Sequence, residues 1–130
     1  MKEKIMIDAD NTVARYLAAW NERDAGERRA LITETYTGDA IYLDPHRRGE
    51  GHEGLETMIA AVHGQFPPAY RFRLKGAVDA YGDRARFQWE AGGQSGAPLH
   101  FAGTDFIEIA ADGRIRSVSG FVDAMPAAQS

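Results

Sequence analysis

Leu99-His100-Phe101-Ala102-Gly103-Thr104-Asp105-Phe106-Ile107-Glu108-Ile109 repeats with a period of two. Leu99, Phe101, Gly103, Asp105, Ile107 and Ile109 share one face of a long strand, and Asp105 alone on that face is polar. The same alternation lies upstream. Tyr70, Phe72 and Leu74 alternate with Arg71, Arg73 and Lys75; Ala85, Phe87 and Trp89 alternate with Arg84, Arg86, Gln88 and Glu90. Gly82-Asp83 supplies the hairpin turn between these strands, and Gly92-Gly93-Gln94-Ser95-Gly96 opens another. Asp112-Gly113 sends the chain into a last strand from about Arg114 to Val122. Successive hairpins of this kind predict an antiparallel sheet with one face buried and an arginine-rich face toward water.

The first half of the chain carries the helical period instead. Met6, Ala9, Val13, Tyr16, Leu17 and Trp20 form one helical stripe. Asp24, with Glu27 three residues on, marks the start of a second helix with Leu31, Ile32 and Tyr36 as its stripe and Gly38 as its expected C-terminal cap. Ala40 to Pro45 reads as a short strand, and His46 to Gly54 as a polar loop. Leu55, Met58, Ile59, Val62 and Phe66 give a third helix, ended by Pro67-Pro68. Three helices followed by hairpin-joined strands, with one short strand inserted early, is an α+β layout.

Composition limits what such a domain does. The 130 residues are 44% hydrophobic and 26% charged, which suits a single core. With no cysteine, disulfides, thiol nucleophiles and cysteine-ligated metal are excluded. A net charge of −4 argues against a general nucleic-acid binder. The N-terminal residues Met1 to Asp8 carry acids and only three consecutive apolar positions, unlike a signal peptide, and no apolar run reaches the roughly 18 residues of a membrane span. A cytoplasmic domain of residues 1–130 is expected, with its core over about 6–123 and a tail over 124–130.

Asp105 breaks the pattern. An ionised carboxylate facing a core is costly unless it is paired, so the side chain is satisfied by an arginine or backbone donors, is turned out by a bulge, or faces a cavity with its proton retained. Asp44 ends the short strand before Pro45, either as a turn starter or at a pocket mouth. Tyr16 sits on an apolar stripe, yet its hydroxyl needs a partner. Two acids and a phenol from separate segments, brought to one apolar pocket, suit enolisation. One carboxylate takes a proton beside a carbonyl, while a phenol and a carboxylic acid hydrogen-bond the developing oxyanion. Keeping Asp105 protonated at neutral pH requires a pKa raised by about 3 or more.

The runs Val13 to Asp24, Ala40 to Pro45 and Gly103 to Ile107, followed by Asp112-Gly113-Arg114-Ile115, resemble the nuclear transport factor 2-like superfamily, nearest its SnoaL-like and ketosteroid isomerase members. The resemblance implies a curved antiparallel sheet wrapped as a cone around three helices, an apolar pocket, and homodimers formed through the sheet. By analogy with the isomerase branch, it assigns Tyr16 and Asp105 to the oxyanion hole and Asp44 to the base. Trp20, Met58, Val62 and Phe66 from the helices, with Phe87, Trp89 and Phe101 from the strands, are the expected substrate-binding residues. The expected partner is a small apolar ligand, with no cofactor, nucleic acid or membrane. A cofactor-free isomerase or a cyclase closing a ring by aldol chemistry is one reading; a non-catalytic binding or dimerisation module is the other.

His46, His52 and His63, with Glu50 and Glu53 nearby, lack the i, i+4 helical spacing of a metal pair and read as loop or helix-surface histidines, so no metal is expected. His63 adjoins the third helix's apolar stripe and is the alternative base. The ladder Arg71, Arg73, Lys75, Arg84 and Arg86, with Asp79 and Glu90 beside it, reads as a solvated sheet face or dimer contact.

Overall fold

A computed structural model describes residues 8–92 and 100–124. Met6, the turn after Gly92, Leu99 and the tail from Met125 lie outside the described residues. The element order is α1 (Ala9–Asn21), α2 (Ala25–Thr35), β1 (Tyr36–Leu43), β2 (Arg48–Glu50), α3 (Gly51–Gln65), β3 (Arg71–Tyr81), β4 (Arg84–Gly92), β5 (His100–Ile109) and β6 (Ile115–Ala124). The strands form one open six-stranded sheet in the order β2-β1-β6-β5-β4-β3. All pairings are antiparallel except β1 with β6, which run parallel. The sheet curves around the helices as an α+β cone.

Local chemistry sets most boundaries. Asp8 caps α1 by accepting the Asn11 N–H at 3.0 Å, and Asp24 caps α2 by accepting the Glu27 N–H at 2.9 Å. α3 stops before Phe66, whose extended φ of −127° is what a residue preceding proline prefers. Gly82 and Gly113, at φ +58° and +89°, take the left-handed conformations their hairpin turns need.

Two expectations are corrected. α2 ends at Thr35, and Tyr36 and Gly38 belong to β1 instead of to a helical stripe and its cap. Tyr36 pairs with Ile115 in the parallel ladder, so tertiary pairing overrides the local glycine signal. The stretch expected as a loop from His46 to Gly54 instead forms β2 and the first turn of α3, through Gly51 at φ +73°.

The core lies between the helices and the concave sheet face, where Val13, Ile32, Leu55 and Ile59 meet Ile107, Ile109 and Ile115. The helices are also clamped by a buried polar knot. Arg28, 4% exposed, forms a bidentate pair with Glu56 (Nε and Nη2, both 2.8 Å), and its Nη1 donates to the Glu22 carbonyl at 2.8 Å. The outer sheet face carries ion pairs, Arg86 with Asp79 at 2.7 Å and Arg84 with Glu108 at 3.2 Å, so acids partner part of the basic ladder. Among the described residues no helix is long and apolar enough to cross a membrane.

Candidate functional site

Period two aims Asp105 of β5 inward between Gly103 and Ile107, where it is 3% exposed. Both oxygens accept hydrogen bonds. Tyr16 Oη donates to Oδ2 at 2.6 Å from α1, and Trp89 Nε1 donates to Oδ1 at 3.0 Å from β4. Trp89 reaches it because Gly103 lies opposite in the ladder; a Cβ there would sit 2.4 Å from the indole ring. The absent side chain lets the ring lie flat over β5 and deliver its N–H two residues along the strand. Tyr16 is held by edge-on packing on Phe87, with ring centroids 5.4 Å apart.

Among the described residues no cation forms an ion pair with Asp105. Burial pushes its pKa from 3.8 to about 6, the Tyr16 and Trp89 donors pull it back, and the Asp44 and Asp123 charges add to the rise. The rise is in the expected direction and, at about 6, smaller than the increase of about 3 or more that keeping the proton at neutral pH requires. Two donors aimed at the carboxylate stabilise its ionised form and limit the rise. Burial, and then the Asp105 charge, raise the Tyr16 phenol well above its ordinary value, so Tyr16 stays a proton donor.

Asp44 stands at the end of β1, in the turn to β2. Its Oδ1 accepts the backbone N–H groups of His46 (2.7 Å) and Arg47 (2.9 Å), and its Oδ2 accepts Tyr42 Oη at 2.5 Å. The turn-starter reading and the pocket reading thus both hold for this residue: it caps a tight hairpin and lines the cavity. Tyr42 went unnoticed in the sequence, although its place two residues before Asp44 puts it on the same strand face. Gly120 of β6 brings the acids near each other. A Cβ there would lie 3.0 Å from Asp105 Oδ1, 3.1 Å from Asp44 Cβ and 3.4 Å from Tyr42 Oη.

These groups open on a cavity of about 400 Å³. Tyr16, Asp44 and Asp105 all line it, as do Trp20, Val62, Phe66, Trp89 and Phe101. Leu17, Tyr70, Phe72 and Val122 complete the apolar wall, and His46, Arg47 and Gln65 stand at its exposed side. Two expected lining residues do not reach it. Phe87, 1% exposed, is spent backing the Tyr16 ring. Met58 lies one helical turn before Val62 and packs under β2, its Sδ 3.2 Å from where a Gly49 Cβ would sit.

His63 serves the helix clamp. Its Nε2–H donates to the Trp20 carbonyl at 2.7 Å, and its Nδ1 accepts from Arg28 at 3.1 Å. Both nitrogens are engaged, and burial lowers its pKa. His52 donates Nε2–H to the Tyr36 carbonyl at 2.8 Å. No cluster of three metal-ligating side chains occurs among the described residues.

A small α+β cone with a buried acid on a late strand and an aromatic cavity defines a class, and comparison places the chain within it. The chain belongs to the SnoaL-like domain family, whose sequence profile matches residues 13–118. It is similar to a SnoaL-like family protein from Agrobacterium tumefaciens str. C58, whose name proposes an isomerase, with 38% identity, TM-score 0.81, and coverage of 88% of this chain and 96% of that one. A SnoaL-like protein from Jannaschia sp. CCS1, whose name proposes a polyketide cyclase, shares the fold at 19% identity, TM-score 0.73, and coverage of 99% and 100%. A hypothetical protein with a ketosteroid isomerase-like fold from Catenulispora acidiphila DSM 44928, in complex with trimethylamine, does so at 21% identity, TM-score 0.66, and coverage of 84% and 82%. No curated protein matches the chain.

Proposed function

We propose that the protein is an isomerase or cyclase that moves a proton beside a carbonyl of a small, largely apolar substrate, using Asp105 as the proton-transfer group and no cofactor. One observation carries the reading: a buried carboxyl with no cation partner among the described residues, its pKa near 6, lines an aromatic cavity between two hydrogen-bond donors. A general base works best when its pKa lies near the working pH. In the step proposed, the C–H bond next to the carbonyl breaks and its proton passes to Asp105. The electron pair moves to the carbonyl oxygen as an enolate. Once neutral, Asp105 holds the Tyr16 O–H less strongly, and the phenol turns to the enolate oxygen. Returning the proton at another carbon gives an isomer. Attack of the enolate carbon on a second carbonyl of the same molecule closes a ring, with the proton ending on the new alkoxide.

The second reading keeps Asp44 as base, with Tyr16 and Asp105 as oxyanion donors. Its support is the approach of Asp44 to Asp105 across Gly120. The first reading is preferred because three hydrogen bonds already hold the Asp44 carboxylate and stabilise its charge. Proton NMR of α-hydrogen exchange of 2-tetralone in D2O tests both. Asp105→Asn is expected to lose at least about 100-fold in exchange rate and Asp44→Asn less than about 10-fold. The reverse order establishes the second reading, and no exchange above buffer by the parent supports the binding-module alternative.

We also infer a homodimer formed through the outer sheet face. Phe106 and Phe121 stand 45% and 52% exposed there and pack edge-on at 5.7 Å, an apolar pair left uncovered by the described residues.

A further inference from the structure

We propose that the substrate is an anionic carbonyl compound, an aryl or alicyclic oxo acid, whose carboxylate is held by Arg47 while its carbonyl lies beside Asp105 and Tyr16. The inference rests on the reading that this cavity takes a small carbonyl ligand, and it adds the ligand's charge and orientation.

Among the described residues, Arg47 is the one lysine or arginine that lines the cavity. Its side chain is 31% exposed, whereas Asp105 and Tyr16 are 3% and 2% exposed, so the cavity runs from a cation near solvent to a buried acid. The guanidinium is not occupied. Its only polar contact among the described residues is Nη1 to Asp44 Oδ2 at 3.8 Å, an ion pair too long to be a hydrogen bond. The planar fork of donors therefore remains available for a carboxylate, which it matches two bonds at a time.

Recruiting Arg47 to a ligand leaves nothing stranded. Asp44 keeps both backbone N–H groups and the Tyr42 hydroxyl when the guanidinium turns away. Most other arginines near acids make shorter contacts, and Arg29, 3.9 Å from Glu56, is as loosely paired but does not line the cavity. Arg28 and Arg86 bind carboxylates at 2.8 and 2.7 Å and hold shape. Arg47 differs in being aimed at a cavity and being only loosely paired.

The space suits such a molecule. An apolar cavity of about 150 Å³ takes one benzene. At about 400 Å³ this one has room for one or two rings and a short chain. Trp20, Phe66, Phe72 and Trp89 supply the ring contacts. With the acid group at Arg47 the molecule enters in one direction, carbonyl first. The reverse pose would place a carboxylate against the buried Asp105 with no cation to offset it.

Binding can be read without turnover, because the chain has two tryptophans, Trp20 and Trp89, and both line the cavity. Quenching of their fluorescence by 3-benzoylpropanoate and phenylpyruvate is compared with quenching by the neutral methyl esters, for the parent, Arg47→Gln and Arg47→Lys. The parent is expected to bind at least one of the acids about 10-fold or more tighter than its ester, Arg47→Gln to erase that preference with ester affinity unchanged, and Arg47→Lys to restore part of it. Equal affinity for acid and ester in the parent, no saturable quenching by either acid, or a preference that survives in Arg47→Gln overturns the inference. Exchange of 2-tetralone without acid preference leaves the catalytic reading standing and removes this one. Acid-selective binding with no exchange of either acid's α-hydrogens does the opposite.

Discussion

Replacing Asp105 with asparagine should make the protein more stable at pH 8 and inactive. In the folded chain the carboxyl has a pKa near 6, against 3.8 for a solvated one. Releasing its proton therefore costs about 3 kcal/mol more in the fold than in the unfolded chain. The sign follows from proton counting. Below pH 4 both states hold the proton and the cost is absent; as pH rises through the interval from 4 to 6 the unfolded chain ionises first, and stability falls. Above about pH 7 the whole penalty is in force. Asparagine has no charge to desolvate, and its Oδ1 can accept the Trp89 N–H while its Nδ2 donates to the Tyr16 oxygen, so neither partner is orphaned. Urea unfolding of parent and Asp105→Asn from pH 4 to 8 measures the difference directly. His63, Glu56, Asp83 and Asp112 also titrate with folding, but they are common to both proteins and cancel in it. The variant's advantage should grow by about 3 kcal/mol across that range, a Tm gain of roughly 10 °C at pH 8. A flat difference, or a variant less stable than the parent at pH 8, refutes the claim that Asp105 is held ionised against its surroundings.

Trp89→Phe removes one of the two donors to the carboxylate, so the Asp105 pKa should climb from about 6 by roughly one pH unit or more, read as an alkaline shift of the exchange-rate profile or by carboxyl 13C NMR. Gly103→Ala should do the same by a different route, its methyl clashing with the indole and with the Phe121 carbonyl oxygen of β6, with at least about 1–3 kcal/mol lost in urea unfolding. Glu56→Ala leaves the Arg28 guanidinium buried without its carboxylate and should cost about 3 kcal/mol; a loss under about 1 kcal/mol would deny the clamp its structural role. Phe121→Asp should convert a dimer to a monomer in sedimentation velocity, and a parent that already sediments as a monomer ends the self-association proposal.

Much of the architecture was legible because it rests on period. The strand from His100 to Ile109 and the hairpins beside it read directly from alternation, and the helices from their stripes and the Asp24 cap. The errors fell where two local signals competed. Gly38 looks like a helix cap, but Tyr36 had a distant partner in Ile115, and sequence spacing does not show a parallel pairing across most of the chain. The three proposed catalytic side chains also read correctly as neighbours, because each broke an apolar pattern. What alternation could not show was direction along the hydrogen bonds. Trp89 looks like a wall residue until its N–H is seen on Asp105, and that bond changes the acid from an expected donor to an acceptor. Arg47 was hidden for the opposite reason. A basic residue in a polar turn breaks no pattern, and only the cavity beside it makes it conspicuous.

The site depends as much on absent side chains as on present ones. Gly103 admits the Trp89 ring, and Gly120 admits Asp44, Tyr42 and Asp105 to one patch of sheet. Neither glycine has a positive φ; close approach is what demands Gly103, since a Cβ there would sit 2.4 Å from both the Phe121 carbonyl oxygen and the Trp89 ring. Their cost, lost packing and a looser strand, is borne at the two positions where polar groups must reach one another through an otherwise filled core. A sheet built only for stability would place β-branched residues there and bury an apolar side chain in place of Asp105. The chain instead keeps a charged acid at a disadvantage of about 3 kcal/mol and clears space around it. One buried carboxyl, an open cavity and the glycines that join them all lower stability, and that shared cost is what favours the proposed chemical role over a module that only dimerises.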